Sequence, residues 1–281
     1  MTSDYSLEQI STQVRRDIIR MVTAAASGHP GGSMSSADIL TFLFFKEMNA
    51  SPESWSRCGK DSDMFFLSAG HLTPVFYSVL ARRGYFPTSE LATFRQYGSR
   101  LQGHPSVAKR LPGVNQAAGS LGQGLSVAVG AAVGKRMAGD PNRVFVLLGD
   151  GECEEGQVWE AAMVAAHWKV DNLVAITDWN HKQIDGDTED VAGLGDLQAK
   201  WEAFGWNVVV AHGHDFPSIE KGFATARESK GKGRPVMILF HTEMGHGVDF
   251  MAGTHKWHGK NPSQEQCDEA LKQLQETMGD F

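Results

Sequence analysis

From Ser6 onward the chain switches between two hydrophobic patterns. Ile10, Val14, Ile18, Met21 and Val22 recur at the spacing of an amphipathic helix; Ser6 and Gln9 before it fit a capping box, and Gly28 can close it. Further helical patterns cover 36–48, 73–82, 122–137, 155–168, 216–229 and 263–278. Between them, MFFLS (64–68), RVFVLL (143–148), LVAIT (173–177), WNVVV (206–210) and PVMILFH (235–241) read as short buried strands. These runs are continuously apolar rather than alternating, as strands are when covered on both faces. The alternation predicts an α/β fold, a parallel sheet flanked by helices on both faces. No repeat, low-complexity tract or long linker divides it, so 1–281 reads as one domain.

The composition agrees: 281 residues, 41% hydrophobic and 21% charged, are enough for one large core. A net charge of −7 offers no basic field to nucleic acid or to an anionic membrane. Cys58, Cys153 and Cys267 are odd in number, far apart and free of any CxxC pair, which suits a reducing cytoplasm. The polar start MTSDYSLEQISTQ has no apolar signal core, and no stretch nears the ~20 apolar residues of a membrane span. A cytoplasmic location is expected.

Ligands of parallel sheets bind beyond the carboxyl ends of the strands. Asp150 and Asn180 both lie just past such ends. They offer only oxygen, which favours a hard cation, magnesium or calcium, over zinc. Mg²⁺ usually completes its shell with phosphate oxygens and water, so the metal implies a phosphate-bearing ligand. Gly149 and Gly151 allow close backbone approach, and a helix starting near Glu155 presents free N–H groups, a setting suited to a diphosphate. Asp, Asn and Gly also serve as plain turn residues after strands. The pattern here is longer than a turn: Gly149-Asp150-Gly151, then Glu155-Gly156, an Ala-rich helix, and a second strand leading to Asn180.

This pattern resembles the thiamine diphosphate signature. The resemblance implies that Asp150, Asn180 and the backbone carbonyl of Lys182 hold Mg²⁺ and that Gly151 contacts the diphosphate. It assigns Glu155 to the cofactor-binding set, at a dimer interface, in a carboxylate network linking two active sites.

Four histidines sit in glycine-bearing stretches: SGHPGG (27–32), LSAGH (67–71), QGHPS (102–106) and KWHGKNP (256–262). A lone loop histidine is usually a polar surface residue. The pairs His255/His258 and His212/His214 could suit zinc, but no third and fourth ligand falls at a recognised spacing. GSLGQG (119–124) follows GxxGxG rather than the dinucleotide fingerprint, so a nicotinamide site is a poor reading; close packing of the following helix is the plain one.

In order and spacing these stretches resemble the N-terminal, diphosphate-binding part of transketolase, from about residue 6 to 262. The resemblance implies that His29 and His104 face the sugar, that His71 faces the diphosphate, and that His258 is near both. His29, His104 and His258 are then the catalytic set, and Gly119, Leu121 and Gly122 line the aminopyrimidine of the cofactor. Three departures stand out: Leu72 in GHL where GHA is usual, MGHG (244–247) where KGKG is usual, and Met64 in place of an arginine. They bear on substrate choice rather than on cofactor binding.

The family's activating glutamate and most of its substrate-phosphate arginines belong to a pyrimidine-binding domain that this chain does not contain. The resemblance therefore implies a separate C-terminal subunit, most simply in a heterotetramer, and an apolar face to receive it. The expected activity is transfer of a two-carbon ketol unit from a ketose to an aldose. The alternatives are the alpha subunit of a thiamine diphosphate-dependent 2-oxoacid dehydrogenase, against which SGHPGG and GHPS speak, and a non-catalytic binding paralogue.

Overall fold

Ser6 and Gln9 close the capping box at the start of α1, Leu7–Ala24: Gln9 N donates to Ser6 Oγ at 3.3 Å and Ser6 N to Gln9 Oε1 at 2.8 Å. The computed structural model describes residues 4–281; residues 1–3 of the polar N-terminal stretch lie outside it. The chain continues through α2 (Pro30–Ser35), α3 (Ala37–Phe42), β1 (Met64–Leu67), α4 (Thr73–Arg82), α5 (Gln123–Met137), β2 (Val144–Gly149), α6 (Gly156–His167) and β3 (Leu173–Trp179). A small hairpin of β4 (Lys182–Gln183) and β5 (Gly186–Asp187) leads to α7 (Thr188–Ala192) and α8 (Leu197–Ala203). Then come β6 (Asn207–His212), α9 (Phe216–Ser229), β7 (Val236–His241) and α10 (Gln264–Gln273).

The main sheet has the order β1-β2-β3-β7-β6, with every neighbouring pair parallel. Successive side chains point to opposite faces. Phe145, Leu147, Ile176 and Ile238 thus join the core under α1, α3, α4, α9 and α10, while Val144, Val146, Ala175 and Met237 join the core under α5, α6 and α8. This is the expected α/β architecture. The order runs outward to β3, jumps to the far edge at β6, and returns beside β3 as β7. The switch lies between β3 and β7, where a crevice opens beyond the strand ends.

Several local expectations are corrected. The helix expected over 36–48 is present as α3 continuing into a π-helical turn over Leu43–Glu47, but a further short helix, α2, precedes it and meets it at Ser36. Gly28 does not close α1, which ends on Ala25; at φ +144° it lets the chain pass Val22, whose Cγ1 would lie 2.6 Å from an added Cβ. β6 is a half-exposed edge rather than a buried strand. α10 stops at Gln273, and the remaining residues fold back on α1, where Gln13 Oε1 accepts from Thr277 N and Met278 N and Arg16 pairs with Asp280 at 2.7 Å.

A buried ion pair locks α1 to α4. Arg82 Nη2 reaches Asp17 Oδ1 at 2.7 Å, and Ser78 Oγ donates to Asp17 Oδ2 at 2.7 Å. Burial pushes the Asp17 carboxyl pKa up, and Arg82 opposes it most. Removing the cation leaves a buried charge short of its main partner. Arg82→Met is expected to cost about 3–5 kcal/mol, read from the urea midpoint. Joint replacement with Asp17→Leu should recover most of the loss, and a single variant with the wild-type midpoint would show the pair to be dispensable.

Candidate active site

β1, β2, β3 and β7 deliver Ser68, Asp150, Asn180 and Thr242 to one end of the sheet. A cleft of about 360 Å³ opens there, and among its walls are Asp150, Asp178, Asn180, Lys182 and all four glycine-flanked histidines.

Asp150 is 1% exposed. Its Oδ1 accepts from Gly151 N at 2.8 Å and its Oδ2 from His181 N at 2.5 Å. Asn180 donates through Nδ2 to Asp178 Oδ2 at 3.0 Å and accepts through Oδ1 from Lys182 N at 3.0 Å. The Lys182 ammonium is engaged by Asp187 at 2.7 Å. Asp178 had no role in the sequence reading. It is buried, and it accepts from Ser35 Oγ at 2.6 Å and from Thr242 Oγ1. Asp178 thereby fixes which way the Asn180 amide points. The available signal was an acid within a run otherwise fit for a buried strand.

Burial, and then the charge of Asp178, push the Asp150 carboxyl well above the usual carboxylate range. Burial likewise raises Asp178. A divalent cation held by Asp150 and Asn180 would offset both effects, and the donors are all oxygen, so the residues fit Mg²⁺. Gly151 lies in the lining with its Cα packed on Gln183, and α6 starts beside it.

A second buried carboxylate, Glu152, was also missed, because no spacing sets it apart from Glu154 and Glu155. Its Oε1 accepts from Gly122 N at 2.8 Å and from Ser68 Oγ, and its Oε2 from Gly149 N at 3.1 Å. Burial raises its pKa to about 7. It ties the end of β1 and the GSLGQG turn to the Gly-Asp-Gly turn. Gly119 and Leu121 line the cleft, whereas Gly122, at φ +79°, stands outside the lining with its N–H given to Glu152. Glu155 is exposed at the N-terminus of α6 and also borders the cleft.

His29, His71 and His258 form one cluster: the ring centroids of His71 lie 5.1 Å from each of the other two, and His29 and His258 are 5.7 Å apart. His104 borders the same cleft against Gly119. Burial lowers the pKa of all four, that of His29 to about 4 with further help from His258, Arg95 and His104. Near pH 7 these rings are neutral, able to donate from one nitrogen and accept at the other. The Nδ1 atoms of His29 and His258 are buried without a partner among the described residues.

Two of the three departures line the cleft. Leu72 packs on Gly32 and Met244 on Gly31, so both sit over the turn that carries His29. Met64 lies in the core against Gly59, away from the cleft. Among the described residues Asp38, His214 and His246 have metal-ligand spacing. Asp38, however, is bidentate to Arg15 at 2.9 and 2.5 Å, and both His214 nitrogens are engaged, Nδ1 with Asp38 and Nε2 with Glu243 N. This is a packing network rather than a zinc site. Among the described residues no helix is long and apolar enough to cross a membrane.

Residues 7–279 match the family described as the transketolase, thiamine diphosphate binding domain. The chain is 37% identical over 273 residues to one subunit of an apulose-4-phosphate transketolase from Phocaeicola vulgatus, covering 97% of this chain and 95% of that protein. It is 38% identical over 277 residues to a 6-deoxy-6-sulfo-D-fructose transketolase subunit of a Clostridium species, covering 96% and 98%. The structure of transketolase from Leishmania mexicana superposes with a TM-score of 0.90 at 30% identity, covering 98% of this chain and 42% of that one. The chain thus spans less than half of a full-length transketolase and nearly all of the relatives named as subunits. With its parallel sheet, its oxygen-lined strand ends and its histidine cluster in a single cleft, it belongs to the transketolase family, as that family's thiamine diphosphate-binding domain.

Proposed function

We propose that this chain is the diphosphate-binding subunit of a two-subunit transketolase that transfers a two-carbon ketol unit from a ketose to an aldose, with thiamine diphosphate and Mg²⁺ as cofactors. One observation supports the reading: a single cleft brings the oxygen donors of Asp150 and Asn180 together with His29, His71, His104 and His258. Asp150, Asn180 and the Lys182 carbonyl would hold Mg²⁺, with Gly151 and the start of α6 beside the diphosphate. His71, Gly119, Leu121 and Glu155 would border the cofactor. When bound, thiamine diphosphate supplies the nucleophilic carbon that takes up the ketol unit.

The chain's own contribution is to bind, orient and move protons. His29 and His258 line the cleft, where their rings would meet substrate oxygens, and His104, at its exposed mouth, would meet the sugar as it enters. Because burial keeps His29 and His258 neutral, they could give or take a proton as C–C bonds break and form. The names of the two relatives that are themselves subunits place a phosphate or sulfo group on the sugar, which supports an anionic sugar here too.

A separate C-terminal subunit, in a heterotetramer, would complete the site. α5 and α6 offer it an apolar surface through Val127, Met137, Met163, Val164 and Trp168, with Met137 83% and Trp168 52% exposed.

A coupled ketol-transfer assay with Mg²⁺ and thiamine diphosphate is expected to show turnover only when this chain is mixed with a transketolase C-terminal subunit. Pyruvate decarboxylation in place of ketol transfer, or cofactor binding without turnover in any pairing, would overturn the reading. Asp150→Asn is expected to weaken Mg²⁺-dependent cofactor binding at least ~10-fold, measured by calorimetry on the assembled enzyme; unchanged affinity would remove Asp150 from the cation site. His104→Ala should lower kcat roughly 10²–10⁴-fold with a much smaller effect on cofactor affinity. Equal losses in both would defeat its substrate-side role.

A further inference from the structure

Glu152 is a buried acid, 3% exposed, that borders the cleft without belonging to the cation site or the histidine cluster. Its partners are three neutral donors, each from a different segment. Ser68 Oγ, at the end of β1, and Gly122 N, in the GSLGQG turn, donate to Oε1; Gly149 N, at the end of β2, donates to Oε2.

Each donor sits close in sequence to a residue that lines the cleft. Gly149 precedes Asp150, Gly122 follows Leu121, and Ser68 stands shortly before His71. β1 and β2 are already paired in the sheet, whereas the GSLGQG turn lies outside it and leads into α5. Glu152 ties that turn to the strand ends. Gly122 adopts a left-handed backbone with φ +79°, which its lack of a Cβ permits, and gives its N–H to Glu152 at 2.8 Å. The packing is close: a Cβ on Gly124 would lie 2.5 Å from Ser68 Oγ, and one on Gly122 would lie 2.9 Å from Glu155 Cβ.

A carboxyl accepts at two oxygens held a fixed short span apart, so one rigid group sets how far Gly122 N lies from Gly149 N. The neighbouring acids do not share this task, since Glu154 accepts from Gln183 Nε2 at 3.0 Å and Glu155 is exposed. A carboxamide of the same shape has one accepting oxygen, and its NH₂ would meet an N–H donor head-on.

We propose that Glu152 is a positioning residue for the cofactor. It holds the GSLGQG turn at a set distance from the Gly-Asp-Gly turn, so that the aminopyrimidine and diphosphate ends of thiamine diphosphate are gripped together. The role rests on the ketol-transfer reading above, because it needs that cofactor. Glu152 acts through the two turns, and preorganisation of this kind shows in the affinity for a ligand that spans both.

The test compares two ligands by calorimetry, each with Mg²⁺, on the enzyme assembled with its C-terminal subunit. Inorganic diphosphate reaches only the Gly-Asp-Gly end, whereas thiamine diphosphate spans both turns. In Glu152→Gln the ratio of Kd for thiamine diphosphate to Kd for inorganic diphosphate is expected to rise about tenfold or more over the wild type. A partial loss of folded protein lowers the amount bound without moving this ratio. An unchanged ratio, whether both affinities hold or both fall, overturns the role. Should Glu152→Gln fail to fold, Ser68→Ala removes one donor and keeps the carboxyl; it is expected to raise the ratio about threefold, and an unchanged ratio there overturns the role as well. Amide hydrogen exchange in the chain alone reads the tie without the cofactor: Gly122 and Gly149 are expected to exchange about tenfold faster or more in Glu152→Gln, and unchanged exchange overturns the tie. A wild-type enzyme that binds no thiamine diphosphate defeats the ketol-transfer reading instead, and the exchange rates then judge the tie.

Discussion

Two carboxylates, Asp150 and Asp178, are buried beyond the ends of adjacent parallel strands, and much of the site follows from having to accommodate them. Burial of a negative charge is costly unless donors or a cation surround it. The chain brings donors from distant segments: His181 N and Gly151 N to Asp150, and Ser35, Thr242 and Asn180 to Asp178. The residual unfavourable charge is what a divalent cation would relieve.

The opposite arrangement holds at the histidines. There burial keeps the rings of His29, His71 and His258 uncharged, and the Nδ1 atoms of His29 and His258 have no partner among the described residues. Glycines make the arrangement possible by letting backbone and side chain touch where a Cβ would collide: Gly31 under Met244, Gly32 under Leu72, and Gly70 against Ala118. The rigid sheet below holds these loops in one place, so function sits on the connections and stability in the layers.

Much of this was legible in the sequence. Continuous apolar runs marked the buried strands, and Asp150, Asn180 and the four histidines stood out because each interrupts a pattern with polar chemistry at a strand end or beside glycine. Asp178 and Glu152 were not legible as site residues. One sits on a strand and the other in a run of acids, and only hydrogen bonds between remote segments separate them from ordinary neighbours. The short helix α2 ahead of Ser36 and the returning C-terminal tail escaped for the same reason, since tertiary contacts decide both.

By itself the sequence determined the layers, the strand ends and the kind of chemistry placed there, because hydrophobic period, turn residues and donor type are local properties. Only the tertiary structure decided which groups meet. It set Asp178 to orient Asn180, made Glu152 the tie between three turns, and gathered His29, His71 and His258 into one cluster. Proximity across a parallel sheet depends on strand order, and strand order is fixed by how the layers pack rather than by any short stretch of chain.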